Sequence, residues 1–145
     1  ADRLQARYLA PFYSGSLWFQ LAEFEYLRGG FQDAASLLER SMKALQRARR
    51  FTLGDSCCPC KCGQSYLTRA KIHLENQEPR RALDRLMVAR RAFRESVAGQ
   101  PECPNPKRLL RQASFLSTIT VLPGGADLLK NYLSASRWAL RELSR

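Results

Sequence analysis

Apolar residues in this chain return every three or four positions, in stretches divided by glycine and proline. From about Ser16 to Arg28, Trp18, Leu21, Ala22 and Tyr26 recur near the helical period, and Gly29-Gly30 stops the run. From about Gln32 to Arg49, Ala34, Leu38, Ser41, Leu45 and Ala48 form one stripe, with Gln, Glu, Lys and Arg elsewhere. Ahead of these, residues 1–13 predict a short lead-in helix (Leu4, Tyr8, Leu9) ended by Pro11. Residues 51–63 break the pattern, and Gly54, Pro59 and Gly63 predict a polar, cysteine-rich loop. A third helix is expected from Gln64 to Asn76, with Tyr66, Ala70, His73 and Leu74 on its inner face. Pro79 suits the first turn of a fourth helix reaching about Val97, where Ala82, Leu86, Ala89 and Phe93 share a face. The three prolines within 99–107 predict another loop. A fifth helix is expected from Lys107 to Val121, stopped by Pro123-Gly124-Gly125. A sixth is expected from Ala126 to Leu143, with Leu129, Leu133, Ser136 and Leu140 facing inward.

Helix, tight turn, helix and longer loop thus occur three times, over about 16–49, 64–97 and 107–143. Aligning Ala34, Ala82 and Leu129 gives repeat spacings of 48 and 47 residues. Within the first pair, Trp18, Leu21, Ala22, Gly29, Phe31, Ala34, Leu38 and Ser41 fall at the offsets of a tetratricopeptide (TPR) hairpin, which the segment 16–45 resembles. Residues 64–97 match in part: Ala70, Ala82 and Ala89 fall in place, but Arg69 replaces the expected Leu and His73 an aromatic. Residues 108–141 keep the hairpin outline, with Leu129 in place of Ala. TPR units repeat at about 34 residues, so the excess lies in the long loops and second helices; a period near 47 also suits HEAT-like helical pairs. The resemblance implies an all-α chain, three antiparallel hairpins stacked as a TPR-like right-handed α-solenoid in one domain.

It also implies a function. Stacked hairpins curve, and the first helix of each lines a concave face. In this sequence those positions are Ser16, Phe19, Glu23 and Tyr26, then Gln64, Leu67, Lys71 and Leu74, then Arg111, Ser114, Thr118 and Val121. The expected protein-binding residues are therefore Phe19, Glu23, Tyr26, Leu67, Lys71, Leu74, Arg111, Ser114 and Thr118. TPR proteins that clamp the terminal carboxylate of chaperone tails use Lys, Asn and Arg in this groove. Phe19 and Glu23 stand where a basic residue and an Asn would be needed, which argues against that function. The mixed, rather apolar lining suits an apolar helix or extended segment of a protein partner. The same residues could instead pack against a neighbouring helix of a longer solenoid.

A net charge of +11 adds attraction to acidic partners, protein or nucleic acid. It concentrates in residues 79–94, where Arg80, Arg81, Arg85, Arg90, Arg91 and Arg94 accompany one acid, Asp84; Arg47, Arg49 and Arg50 close the second helix. Arginine forks bond both carboxylates and phosphates bidentately. Three readings stay open for them: a solvated outer face, contact with an acidic partner segment, and a nucleic-acid surface, the last without any recognised nucleic-acid module.

Four of five cysteines crowd into 57–62, unlike a disulfide framework distributed over the fold. That usage predicts a reducing compartment, cytoplasm or nucleus. Cys57, Cys58, Cys60 and Cys62 supply a single C-x-x-C knuckle where zinc takes four ligands, which His73 or Cys103 could complete only if the fold brings them near. A loop of reduced thiols and regulated oxidation assisted by Lys61 are the alternatives. His73 itself reads as a packed residue at the hairpin contact. No Ser/His/Asp arrangement, phosphate loop or carboxylate pair stands out, and Glu23 and Glu25 lie on different helix faces, so no enzyme and no cofactor are expected. No apolar run approaches the ~18–20 residues of a membrane helix. The missing initiating Met and the absence of evident capping repeats predict a fragment of a larger protein.

Overall fold

The computed structural model describes residues 2–51, 57–99 and 104–144; Cys103 and most of the 51–56 segment lie outside them. The described residues form six helices and no strand: α1 (Asp2–Leu27), α2 (Phe31–Arg49), α3 (Cys57–Glu75), α4 (Pro79–Gly99), α5 (Pro104–Val121) and α6 (Gly125–Leu143). The fold is all-α, as the hydrophobic period required. Among the described residues, no helix is long and apolar enough to cross a membrane.

Two boundaries differ from expectation. Pro11 does not end a lead-in helix; α1 runs through it to Leu27. Pro11 forfeits one helical hydrogen bond, but Tyr8 and Phe12 on either side stack at 5.3 Å and pack against Leu45, Ala48, Cys58 and Cys62. That packing holds the first turns in line. The cysteine segment is likewise no loop from residue 57 onward. α3 begins at Cys57, and Cys58 and Cys62, one turn apart, are buried against α2. The Cys58 thiol donates to the Leu45 carbonyl at 3.2 Å. These cysteines behave as small apolar side chains, and Pro59 is tolerated because first-turn N–H groups have no helical partner.

The repeat is visible in the turns. Gly29, Gln77 and Gly124, spaced 48 and then 47 positions apart, are the three residues with positive φ among the described residues, at 83°, 60° and 73°. In the first two turns the pattern is the same. Gly29 N–H donates to Tyr26 O at 3.0 Å and Gly30 N–H to Glu25 O at 2.8 Å; Gln77 N–H donates to Leu74 O at 3.2 Å and Glu78 N–H to His73 O at 2.8 Å. Both are Schellman caps. The packing repeats as well. A Cβ on Gly15 would lie 2.6 Å from Leu45, and one on Gly63 would lie 2.6 Å from Phe93. Both members of that contact recur 48 positions along, so in the first two pairs a glycine within the first helix admits the large side chain of the second.

The third pair departs from this rule. Leu110 occupies the register position of Gly15 and Gly63, and Leu140, the counterpart of Leu45 and Phe93, is exposed. Pro123 disfavours helical backbone at Leu122, so α5 stops a residue early and the turn closes differently, with Gly125 N–H donating to Leu122 O at 2.9 Å. As a result α5 and α6 pack sparingly. α5 lies mainly on α4, whereas α6 touches α3 as much as α5 and also reaches α1. The main core joins Leu67, Leu74, Leu86 and Phe93 to Leu116, Leu129 and Leu133. A second cluster around Leu38 and Met42 takes in Ile72 from α3.

Candidate protein-interaction site

The inner face of α1 and α3 carries a line of polar contacts. At one end Thr68 bonds the Glu23 carboxylate across the two helices. Lys71 follows one turn on, facing both Glu23 and Glu75; burial lowers its pKa from the ordinary lysine value, and the two carboxylates oppose that only in part. At the far end stands Glu75, the last residue of α3, whose side chain is 2% exposed.

Glu75 accepts from three side chains on two other helices. Tyr26 Oη of α1 donates to Oε2 at 2.6 Å. Ser134 Oγ of α6 donates to Oε1 at 2.8 Å, and Arg137 Nε and Nη2 of α6 reach the same oxygen at 3.2 and 3.1 Å. The Arg137 guanidinium also lies over the Phe31 ring, 4.9 Å from its centroid. Burial first, then the bond to Glu75, pushes the Tyr26 phenol far above its usual range. A buried carboxylate is tolerable only when paired and hydrogen-bonded, and this one is satisfied by α1 and α6 together.

The expected groove residues are therefore in three states. Tyr26, Leu67 and Leu74 are buried, Leu67 and Leu74 in the core shared with Leu129 and Leu133. Phe19, Glu23, Lys71 and Ser114 are half-buried, and Arg111 and Thr118 are exposed. The Tyr26–Leu74 end of the face is occupied by α6; the Phe19 and Thr118 positions are accessible. Glu75, Ser134 and Arg137 were not among the expected site residues. A signal existed: Glu75 stands in register with Leu27 and Leu122, and Arg137 interrupts the inner stripe between Leu133 and Leu140. Of that stripe, Ser136 is half-buried and Leu140 is exposed, a correction that follows from the altered seat of α6.

The arginines of α4 do not make one strip. Arg81 pairs with Glu78 at 3.0 Å and Arg85 approaches Glu39 at 3.6 Å, while the Arg90 Nε is buried. Arg80, Arg91 and Arg94 are exposed. A second basic region was partly legible in Arg47 and Arg50. With Arg7 and Lys43 they line two shallow recesses beside Phe51, and none of the four is ion-paired among the described residues.

Cys58 and Cys62 point into the core and Cys60 is half-buried; none of the three is joined in a disulfide. Among the described residues, no three His, Cys, Asp or Glu side chains gather in a way that could hold a metal ion. His73 is buried between α3 and the start of α4, with Nδ1 at 3.1 Å from Glu78 Oε1. Comparison of the chain with protein-family models, with curated proteins and with solved structures gave no match.

Proposed function

We propose that this chain is a non-enzymatic helical-repeat scaffold, TPR-like in its hairpins, that binds a protein segment along the face made by α1, α3 and α5 and so helps to assemble a complex. The observation that carries the reading is the seat of α6. An amphipathic helix lies across the ends of α1 and α3, with Leu129 and Leu133 in the core and Arg137 on the buried Glu75. A face that accepts one helix in this way has the chemistry to accept another beside it, toward Phe19 and Thr118. The positive-φ turns, 48 and 47 positions apart, and the glycine contact repeated in the first two pairs support the hairpin-stack part of the reading.

The test is site-directed photo-crosslinking. Probes at positions 19 and 118 are expected to capture the same protein, a probe at position 91 on the outer arginine helix is not, and Phe19→Glu is expected to abolish capture with helix content unchanged. Equal capture from all three positions would refute the assignment of the face.

A second reading rests on Arg7, Arg47 and Arg50 around Phe51, with Lys43 in the adjoining recess: cations without an ion-pair partner among the described residues, beside an aromatic ring, suit a nucleic-acid backbone. Its mark is affinity that falls steeply with salt and falls further in Arg47→Gln/Arg50→Gln. Absence of binding to single-stranded or duplex nucleic acid at low salt eliminates it.

A further inference from the structure

Arg69 and His73 are where α3 departs from the TPR offsets, and they lie together. One repeat later, α5 buries Leu116 and Thr120 at the corresponding positions. His73 is 3% exposed and its Nε2 has no hydrogen-bond partner; the Arg69 Nε is buried and also unbonded. Buried polar atoms without partners lose their hydration and gain nothing in return. Both residues line one recess of about 300 Å³ between α3 and α4, completed by Arg81, Asp84, Arg85 and Val88. Local breaches of a fold's own rules concentrate at functional sites.

Arg69 and Arg85 hold their acidic neighbour only loosely, whereas Arg81 is hydrogen-bonded to Glu78. Arg69 and Arg85 stand 4.0 and 3.6 Å from the one Glu39 carboxylate oxygen, beyond hydrogen-bonding distance. Glu78 is engaged by His73 and by Arg81. Asp84 is exposed and stands among the lining side chains. We infer that this recess is a binding site for a phosphoryl group, held by Arg69, Arg81 and Arg85 with His73 as its buried member. Guanidinium forks match phosphoryl oxygens in geometry as well as charge, and a dianion relieves the crowding of Arg69, Arg81 and Arg85 on one another. The phosphoryl group can belong to a modified side chain or to free phosphate.

Binding reverses the state of the ring. Burial holds His73 below the ordinary histidine range, Arg69 and Arg85 add to that, and the Glu78 bond opposes it. With Nδ1–H assigned to Glu78, Nε2 is a bare acceptor. Next to a phosphoryl oxygen it takes one proton from solvent and donates it. The carboxylates that face these groups are Glu78 from the head of α4, Asp84 from α4 and Glu39 from α2.

His73 is the single histidine of the chain, so its ring gives one set of nuclear magnetic resonance signals to follow. Inorganic phosphate is expected to shift them saturably, with a midpoint in the millimolar range, and to move the His73 titration upward; chloride at equal ionic strength is not. Arg81→Gln and Arg85→Gln change exposed or half-exposed side chains and should leave the fold intact by circular dichroism. Each should raise the midpoint at least about tenfold, and Asp84→Asn should lower it. O-phosphoserine binding tighter than phosphate assigns the site to a modified side chain; equal binding assigns it to free phosphate. A response that does not saturate, that chloride reproduces, or that survives Arg85→Gln overturns the proposal. Phe19→Glu leaves this binding unchanged, because the recess is separate from the inner face.

Discussion

Arg137 and Glu75 lie 62 residues apart and meet through two hydrogen bonds to one carboxylate oxygen, at 3.1 and 3.2 Å. Their side chains are only 18% and 2% exposed. The pair fixes α6 to the end of α3, and Tyr26 on the other carboxylate oxygen fixes α1 to the same point. One acidic residue thereby ties the first, second and third helix pairs together. It also decides how much of the inner face is open, because the helix it holds covers the Tyr26 end and leaves the Phe19 end free.

Arg137→Ala is expected to destabilise the chain by about 3–5 kcal/mol, since it leaves a buried carboxylate without its cation. Glu75→Gln with Arg137→Met should recover much of that loss, as replacing both partners removes the uncompensated charge. Urea unfolding of the two variants checks the order. A loss below ~1 kcal/mol for Arg137→Ala would show that α6 is not held by this pair.

The Tyr26 phenol gives the fold an alkaline limit. Its folded-state pKa is raised, so above pH ~10 the unfolded chain loses a phenolic proton that the folded chain keeps. Stability contributed by this group is fully present below the unfolded value and falls as pH rises beyond it. Tyr26→Phe should cost about 1.5–3 kcal/mol at neutral pH by removing a donor from a charged acceptor, and should flatten the decline measured by denaturant titration between pH 9 and 11. An unchanged slope would place the alkaline sensitivity elsewhere.

Periodicity located all six helices, because apolar faces such as Leu38–Ser41–Leu45 and Ala82–Leu86–Phe93 are set by local spacing. Two punctuation marks were misread for one physical reason. Pro11, and Pro59 with Gly63 in the cysteine segment, disfavour a helix on propensity, yet both stretches sit where α1, α2 and α3 converge, and packing of Tyr8, Phe12, Cys58 and Cys62 outweighs the local penalty. The site was less legible. Phe19 and Thr118 could be placed on an inner face from the repeat offsets alone. The occupation of Tyr26 and Leu74 could not, because it depends on where α6 lies. That position follows from Leu110 and Pro123, whose effect appears only once the Gly15–Leu45 and Gly63–Phe93 contacts are compared with it.

Those contacts make a directional prediction. Gly63→Ala puts a Cβ 2.6 Å from the Phe93 ring, which is fully buried and has no free direction to move. The substitution is expected to cost about 1–3 kcal/mol despite the better helix propensity of alanine. Gly63→Ala combined with Phe93→Leu should restore part of it. A stabilising Gly63→Ala, read by thermal melting, would mean that α3 and α4 are not packed at this distance.

Gln77 gives the opposite case. It holds the turn position of Gly29 and Gly124 with φ at 60°, which disfavours any residue carrying a Cβ. Gln77→Gly should stabilise the chain by about 0.5–1 kcal/mol, the left-handed penalty removed less the entropy that glycine adds to the unfolded state. Gln77→Val should destabilise it. The same melting experiment separates the two, and an indifferent Gln77→Gly would show that the turn is not held in the left-handed region.

The cysteines can be sorted by reactivity. A chain with Cys57, Cys60 and Cys103 replaced by serine keeps two thiols, both buried. Desolvation raises the Cys62 pKa, with nearby Glu95 adding and Arg49 opposing, so little reactive thiolate forms near neutral pH. The Cys58 thiol is a donor to Leu45 O inside the same cluster. Labelling by a disulfide reagent at pH 8 should therefore be slower than for a free thiol by at least about a hundredfold. It should accelerate in parallel with unfolding as urea is added, because both sulfurs are reached only when α3 leaves α2. Rapid labelling of both thiols in the absence of urea would place the start of α3 away from α2 and return the segment to an open, thiol-bearing loop.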